Sequence, residues 1–220
     1  MDGGVISESF VKESNRKQPV IIVSAGIGDQ IHFELDLLAR LKNLGVRAEL
    51  YAVDPTPKSL EFLAGQDLPS NFHVIPYALC GRDGDISFSL PRDPRWVSGS
   101  EIDLRDDSRD LDHENRITVP GKTLKSIMEE LDLERVDFLK MDIEGSEFSA
   151  VDNILKDRIS IEEMLIDVHH FLMADGENSL RGMLTGLTRS GFRIYEAQED
   201  KTFSCISQGA LGRRRNDVGS

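Results

Sequence analysis

Short apolar runs alternate with segments of helical periodicity along most of this chain, and that alternation constrains the fold more than any other feature. The runs at 19–26, 46–54, 71–79, 136–141 and 162–170 are strand-like, and between them apolar residues recur every three or four positions, as at Leu37, Leu41 and Leu44. This order predicts right-handed crossovers and a mainly parallel sheet with helices on both faces. Two last runs, 191–197 and 201–207, predict a closing hairpin whose final strand is antiparallel, making seven main strands.

One stretch breaks this pattern and shapes the predicted domain organisation. After a short extra strand at 84–90, residues 91–116 are rich in Asp and Arg, poor in apolar residues, and contain Trp96, the single tryptophan. A loop of that length inside a domain is usually functional or disordered, and we interpret it as a charged insert or lid. We therefore predict an N-terminal arm at 1–18, a single domain at 19–208 and a flexible tail at 209–220.

The composition restricts the class of partner. The 220 residues carry a formal net charge of −13, which argues against a nucleic-acid backbone as the main partner. No apolar run approaches the roughly 18 residues of a membrane span, and the N-terminus lacks the pattern of a secretory signal. The two cysteines give neither a disulfide framework nor a metal-binding spacing. These features predict a cytoplasmic protein with no nucleic-acid or membrane partner, and they leave its oligomeric state open.

Ligands of open α/β sheets bind beyond the carboxyl ends of the strands, where three predicted strands end in residues suited to a nucleoside. Gly26 and Gly28 follow the first strand and allow a close approach of the backbone to a ligand. The third glycine of a dinucleotide fingerprint is missing and Asp29 follows Gly28 directly, which disfavours a pyrophosphate. Asp54 ends the second strand, where it can bind ribose hydroxyls or cap the next helix, and Ala78 ends the third, where an adenine can lie flat.

Three carboxylates, Asp142, Glu144 and Glu147, follow the fourth main strand within six positions. Each can be explained by the next helix, because negative charge near a helix N-terminus is favourable by roughly 0.3–1 kcal/mol. The fifth strand, however, ends in DVHH, which brings Asp167, His169 or His170 to the same edge of the sheet. A ribose carboxylate, a turn unsuited to phosphate and acids at the neighbouring strand end together suit S-adenosylmethionine, a nucleoside with an ammonium and a sulfonium group and no phosphate.

The segment VDFLKMDIEGSE at 136–147 resembles the D-x-x-K-x-D-x-E-G-x-E segment of the FkbM-type family of S-adenosylmethionine-dependent methyltransferases. TLKSIM at 123–128 and ALCGRDGDISF at 78–88 support a resemblance that spans roughly residues 20–205. It implies a class I methyltransferase fold, a Rossmann-like seven-stranded sheet, with cofactor contacts at Gly26, Gly28, Asp54, Ala78 and Asp142. Many such enzymes carry an acid two positions before the first glycine. Here that position is Ser24, which can hydrogen-bond an ammonium group but brings no charge.

The resemblance also implies methylation of an oxygen atom, with a small-molecule or sugar hydroxyl as the acceptor. A base must take the hydroxyl proton, and His169 is the first candidate because imidazole titrates near neutral pH, with Asp142 and Glu144 next. The carboxylates would also suit Mg²⁺, although no spacing demands a metal. Two alternatives stay open: a non-catalytic domain that binds S-adenosylmethionine or another protein, and an NAD-linked oxidoreductase on the same architecture.

Overall fold

The computed structural model describes residues 18–91, 111–198 and 201–209, which form an α/β domain. The described strands, in chain order, are β1 (Val20–Ala25), β2 (Ala48–Val53), β3 (Phe72–Ile75), β4 (Ala78–Leu79), β5 (Gly84–Pro91), β6 (Leu111–Lys122), β7 (Val136–Met141), β8 (Ile161–Asp167), β9 (Phe192–Gln198) and β10 (Thr202–Ser207). The described α-helices are α1 (His32–Asn43), α2 (Pro57–Ala64), α3 (Leu124–Glu130), α4 (Glu147–Lys156) and α5 (Gly176–Arg189), and a 3₁₀ turn covers His170–Leu172.

The main sheet has seven strands in the order β3-β2-β1-β7-β8-β10-β9. The first five of these pair in parallel, and β10 pairs antiparallel with both β8 and β9. This confirms the predicted mainly parallel sheet that closes with an antiparallel last strand. The strand order reverses between β1 and β7, so their carboxyl ends form the switch point at which open α/β sheets bind ligands.

Helices cover both faces of this sheet, as the sequence predicts. Successive side chains of a strand point to opposite faces, so Ile22 and Val23 of β1 enter two different apolar clusters. The cluster around Ile22 includes residues of α1 and α2, and the cluster around Val23 includes residues of α3, α4 and α5. Strands buried on both sides need continuous apolar runs, which explains the composition of β1, whereas the charged residues Asp137 and Lys140 of β7 need partners inside the protein.

The predicted third strand, 71–79, is wrong in its extent because the structure divides it between two sheets. β3 ends at Ile75 in the main sheet, whereas β4 begins at Ala78 in a separate sheet of order β4-β6-β5. Pro76 lies between them, and proline cannot donate a ladder hydrogen bond. The backbone turns at this point, where the amide of Tyr77 bonds the carbonyl of Ile75 at 2.9 Å.

A strand begins inside the segment 91–116, which the sequence analysis interprets as a charged insert or lid. Residues from Leu111 onward belong to β6, which pairs antiparallel with β5 as far as Gly84 opposite Gly121. The polar sequence of 111–116 and Pro120 hide the strand from a search for apolar runs. Residues 92–110 with Trp96, the predicted arm at 1–17 and the tail from 210 lie outside the described residues, and their roles stay predictions.

The first acid of the family-like segment, Asp137, ties β7 to β1 at the end of the sheet opposite the switch point. Its buried carboxylate accepts hydrogen bonds from the amide of Ile21 at 2.7 Å and from Nε of Arg135 at 2.9 Å. Arg135 in turn donates to the carbonyl of Pro19 at 2.9 Å. A buried carboxylate with these partners is stable without a ligand, so this residue is structural.

Among the helices within the described residues, none combines the length and apolar character that crossing a bilayer requires.

We predict that Gly26→Ala destabilises the fold far more than Gly45→Ala. Both glycines have left-handed φ angles, 79° and 73°, so an alanine at either costs about 1 kcal/mol in backbone strain. A Cβ at Gly26 would lie 1.7 Å from the carbonyl oxygen of Asp142, whereas a Cβ at Gly45 meets nothing within 4 Å. In urea denaturation, Gly26→Ala should lower the free energy of unfolding by at least about 2 kcal/mol more than Gly45→Ala does. An equal decrease in the two variants would contradict the close packing of β1 against the end of β7.

Candidate active site

The glycine turn after β1 and the end of β7 meet at the switch point. The amide of Asp142 donates to the carbonyl of Ala25 at 3.0 Å, and the amide of Gly26 donates to the carbonyl of Val53 at 3.0 Å. Gly28 also has a left-handed φ, 62°, which turns the chain away from the sheet before α1 begins. The structure thus brings three predicted site residues, Gly26, Gly28 and Asp142, to one edge.

Asp54 holds the glycine turn against the end of β2. Its Oδ2 accepts from the amides of Ile27 at 2.9 Å and Gly28 at 3.1 Å, and its Oδ1 accepts from the amide and the hydroxyl of Thr56 at 2.9 and 2.7 Å. These four bonds fill the lone-pair positions of a carboxylate. Ribose hydroxyls would therefore have to replace one of them, and Asp54 organises the turn through these bonds.

Ser24 is joined to an acid that the sequence analysis did not single out. Its hydroxyl donates to Oε1 of Glu34 at 2.7 Å, and Nζ of Lys140 lies 3.5 Å from the same oxygen. Nζ of Lys140 also lies 3.4 Å from the carbonyl oxygen of Gly26. Ser24 and Glu34 are 0% and 1% exposed, so a buried ion pair underlies the glycine turn.

Glu147 shapes the turn between β7 and α4. Its fully buried carboxylate accepts from the amide of Ile143 at 3.0 Å and from the amide of Gly145 at 2.8 Å. It also accepts from Nδ1 of His169 at 2.9 Å, which links the turn to the residues after β8. Because an ionised carboxylate only accepts, the proton of this bond belongs to Nδ1, and Nε2 is directed elsewhere.

The same turn forces Glu144 into an unusual backbone conformation. Its φ is 53°, and Gly145 follows with φ 101°. A left-handed non-glycine residue costs of the order of 1–3 kcal/mol and persists only where its surroundings enforce it. The three bonds of Glu147 provide that enforcement, and the result is a Glu144 side chain whose Oε2 lies 3.5 Å from Nε2 of His169.

His169 is surrounded by carboxylates. Nε2 lies 3.5 Å from Glu144 and 3.8 Å from Oδ1 of Asp142, while Nδ1 bonds Glu147. Burial opposes the charged imidazolium, but the hydrogen bond to Glu147 and the charges of the three carboxylates outweigh it and raise the pKa of His169 to about 9. This shift favours the imidazolium form of His169 at neutral pH.

Of Asp142, Glu144 and His169, Asp142 is the most exposed. The exposed fraction of its side chain is 39%, against 24% for Glu144 and 14% for His169. Partial burial raises the pKa of Asp142 to about 6, against the favourable charges of Lys140 and His169. A ligand at the switch point would meet this carboxylate first. We call Asp142, Glu144 and His169 the acidic cluster.

The acidic cluster can hold either a proton or a cation. One ligand atom from each of the three residues lies within 4.8 Å of the others. Two carboxylates and an imidazole are ligands that divalent ions accept, and the hydrogen bond that Nδ1 donates to Glu147 is the type of contact that orients a metal-binding histidine. The residues thus fit a divalent metal as well as proton transfer.

Two other predicted positions lie apart from this cluster. Ala78 is buried in the small sheet, where it packs with Cys80, Ile86, Phe88 and Val119. Its proposed contact with an adenine stays a prediction. His170, the second histidine of DVHH, begins the 3₁₀ turn, and its Nε2 lies 3.5 Å from Glu177 of α5 rather than in the acidic cluster.

Glu34 is the site residue that sequence reasoning missed, although a signal for it exists. Leu37, Leu38 and Leu41 are the buried apolar residues of α1, and Glu34, which is also buried, lies three, four and seven positions before them. A carboxylate on the apolar face of a helix is rarely buried without a partner. The same reasoning leads to Lys140, the one charged residue inside β7 besides Asp137.

Residues 15–194 match the family model described as the methyltransferase FkbM domain, so the chain belongs to that family, as the segment at 136–147 predicts. Among solved structures, the methyltransferase FkbM from Methylobacillus flagellatus KT is 16% identical with a TM-score of 0.48, and the alignment covers 86% of this chain and 43% of that chain.

LepI C52A in complex with SAH and a substrate analogue is 11% identical with a TM-score of 0.46, over 90% of this chain and 45% of that chain. MNMC2 from Aquifex aeolicus is 13% identical with a TM-score of 0.41, over 94% of this chain and 62% of that chain. This chain therefore spans less than half the length of the first two. No curated protein matches the chain significantly.

We predict that His169 makes the fold less stable at alkaline pH. Its pKa is raised from 6.5 to about 9 on folding, so its contribution is complete below pH 6.5 and is lost as the pH rises through 9. The shift corresponds to roughly 3 kcal/mol in the free energy of unfolding. Urea denaturation from pH 6 to 10 should show this decline in the wild type and in His32→Gln, at an exposed histidine, but not in His169→Gln. Parallel curves for all three proteins would contradict the raised pKa.

Proposed function

We propose that this protein transfers the methyl group of S-adenosylmethionine to a hydroxyl oxygen of a small molecule. The observation that carries the proposal is the acidic cluster, which lies beside the Gly26 turn at the switch point of a sheet that belongs to the FkbM methyltransferase domain family. Class I methyltransferases use this edge for the methyl donor, and the cluster provides groups that can take the proton of an acceptor.

The charge of the site supports a cationic nucleoside rather than a dinucleotide. Asp29, directly after Gly28, is exposed next to the turn, and Asp142 is partly exposed across it. These carboxylates would repel a pyrophosphate and attract a sulfonium and an ammonium group. The NAD-linked alternative therefore has an electrostatic penalty that S-adenosylmethionine does not have.

Methyl transfer is an in-line displacement in which the bond between sulfur and the methyl carbon breaks as the acceptor oxygen bonds that carbon. Holding the two reactants in line can contribute roughly 7–11 kcal/mol. The remaining requirement is a base for the hydroxyl proton, and we assign it to Nε2 of His169, with Asp142 and Glu144 positioning the imidazole through their charges. Nδ1 keeps its own proton throughout and donates it in the hydrogen bond to Glu147.

At its raised pKa of about 9, His169 would be a poor proton acceptor at neutral pH. A sulfonium bound beside the acidic cluster would compete with the imidazolium for the same carboxylates. Because a nearby like charge lowers the pKa of a cation, binding of the donor would shift His169 towards the neutral form that accepts a proton. The cluster thus couples cofactor binding to the availability of the base.

A divalent metal in the acidic cluster is the second way to activate an acceptor. Asp142, Glu144 and Nε2 of His169 would hold the ion, which would lower the pKa of a bound hydroxyl. His169 would then be a ligand and no longer the proton acceptor. The two schemes differ in whether turnover depends on added metal.

We expect calorimetry to show binding of S-adenosylmethionine, with a Kd in the roughly micromolar to sub-millimolar range, and no binding of NAD⁺. With an acceptor found by screening hydroxyl compounds, His169→Gln should lower turnover by about 10²–10⁴-fold, because the proton acceptor is lost. His32→Gln, at an exposed histidine, should leave turnover unchanged.

EDTA separates the two schemes, because a metal-dependent enzyme would lose turnover and regain it with Mg²⁺ or Mn²⁺. Binding of NAD⁺ alone would overturn the proposed function. Binding of S-adenosylmethionine without transfer to any acceptor would favour the non-catalytic alternative.

A further inference from the structure

Phe171 is a large apolar residue that the fold leaves exposed beside the proposed base. Within the described residues, Phe171 and Leu44 are the two exposed large apolar residues, at 48% and 44%. A single exposed apolar residue is common on protein surfaces and needs no explanation by itself. Phe171 differs from Leu44 because the centre of its ring lies 5.8 Å from the centre of the His169 imidazole. Its exposed surface is therefore next to the group to which we assign proton transfer.

The 3₁₀ turn that carries Phe171 is held against α5. The carbonyl of His170 accepts from the amide of Met173 at 3.1 Å, which closes the turn. A Cβ at Gly176 would lie 1.7 Å from the carbonyl oxygen of His170, so the first residue of α5 packs directly on the turn. The backbone on either side of Phe171 is thus fixed, and the ring is presented from a defined position at the end of β8.

Lys201 orients the ring of Phe171. Its Nζ lies over the ring, 5.1 Å from the centre, which is within the range of a cation–π attraction. The carbonyl of Lys201 accepts from the amide of Val168 at 2.6 Å, so the backbone of this lysine is tied to the end of β8. Because Lys201 covers one face of the ring, a ligand would contact the surface that stays exposed, stacked with an offset or edge to face.

These surroundings favour an aromatic ring over a sugar as the body of the acceptor. Aromatic pairs gain more from such contacts than the area that they bury accounts for. A sugar has several hydroxyls, and each of them needs a hydrogen-bond partner where it is buried. Of the two histidines beside Phe171, His169 offers Nε2 to one hydroxyl, while His170 is directed to Glu177 of α5. The contacts of the ring therefore suit a flat apolar body with a single hydroxyl.

We propose that Phe171 binds the acceptor and that the acceptor is a phenol, whose ring packs on Phe171 and whose hydroxyl is directed to Nε2 of His169. This inference rests on the proposed function and extends it, because it names the chemical class of the acceptor and a residue that selects it. The products would be an aryl methyl ether and S-adenosylhomocysteine, with the phenol proton on Nε2. A phenol also places a small demand on the base, since its pKa is about 10, as in tyrosine, and an aliphatic alcohol is a much weaker acid.

The test compares three neutral probes: para-cresol, its saturated analogue trans-4-methylcyclohexanol, and methyl α-D-glucopyranoside. Each is titrated, with ligand-observed NMR, into the protein saturated with S-adenosylhomocysteine, whose own affinity is measured by calorimetry. Phe171→Ala removes the ring, and Phe171→Leu keeps an apolar side chain without a ring. Leu44→Ala, at the other exposed apolar residue, is the matched control. Thermal denaturation checks that each variant folds.

We expect the wild type and Leu44→Ala to bind para-cresol about three- to ten-fold more tightly than trans-4-methylcyclohexanol, as for an aromatic pair, and to bind the glucoside most weakly. Both variants of Phe171 should lose the preference for para-cresol over its saturated analogue, because neither offers a ring. All four proteins should bind S-adenosylhomocysteine equally, since Phe171 would contact the acceptor and not the donor.

Equal affinity of the wild type for para-cresol and its saturated analogue would overturn the inference, and so would tighter binding of the glucoside. A preference for para-cresol that persists in Phe171→Ala would overturn it too, because the ring would then bind elsewhere. A wild type that binds S-adenosylhomocysteine but none of the probes would also overturn it. In all these cases the proposed function survives. If the folded wild type does not bind S-adenosylhomocysteine, the proposed function and the inference fail together.

Discussion

The buried carboxylate of Glu147 is the interaction on which the rest of the site depends. It accepts from two amides of the turn between β7 and α4 and from Nδ1 of His169, and it is completely shielded from solvent. These bonds hold Glu144 in its left-handed conformation and set which nitrogen of His169 faces the other carboxylates. One residue thereby connects the ends of β7 and β8 and gives the acidic cluster its geometry.

The carboxylates at this edge of the sheet have two distinct physical roles. Asp54 accepts four hydrogen bonds from donors of the protein and Glu147 accepts three, so both carboxylates position the backbone without a ligand. Oxygens of Asp142 and Glu144 lie 3.8 and 3.5 Å from Nε2 of His169, and both side chains keep part of their surface exposed. Partly exposed negative charge at the switch point is the feature expected where a cationic ligand binds.

The main sheet could be predicted because strands buried on both faces need largely apolar runs, of which β1 is the clearest. The strand β6 could not be predicted, because its first residues are polar and its pairing depends on a partner elsewhere in the chain. The convergence of Gly26, Asp142 and His169 follows from the predicted switch point alone. The bonds of Asp54 and Glu34 could not be predicted, because they depend on side-chain distances that sequence spacing does not determine.

In the proposed function, the sulfonium of the methyl donor would lie beside the acidic cluster and lower the pKa of His169. An NMR titration of the His169 imidazole tests this in the protein alone, with S-adenosylhomocysteine, which has no sulfonium, and with sinefungin, which carries an amine near the position of the donor's sulfonium. We expect a pKa of about 9 in the protein alone and a clearly lower pKa with sinefungin than with S-adenosylhomocysteine. Equal pKa values of His169 with the two ligands at saturation would contradict this placement of the cation.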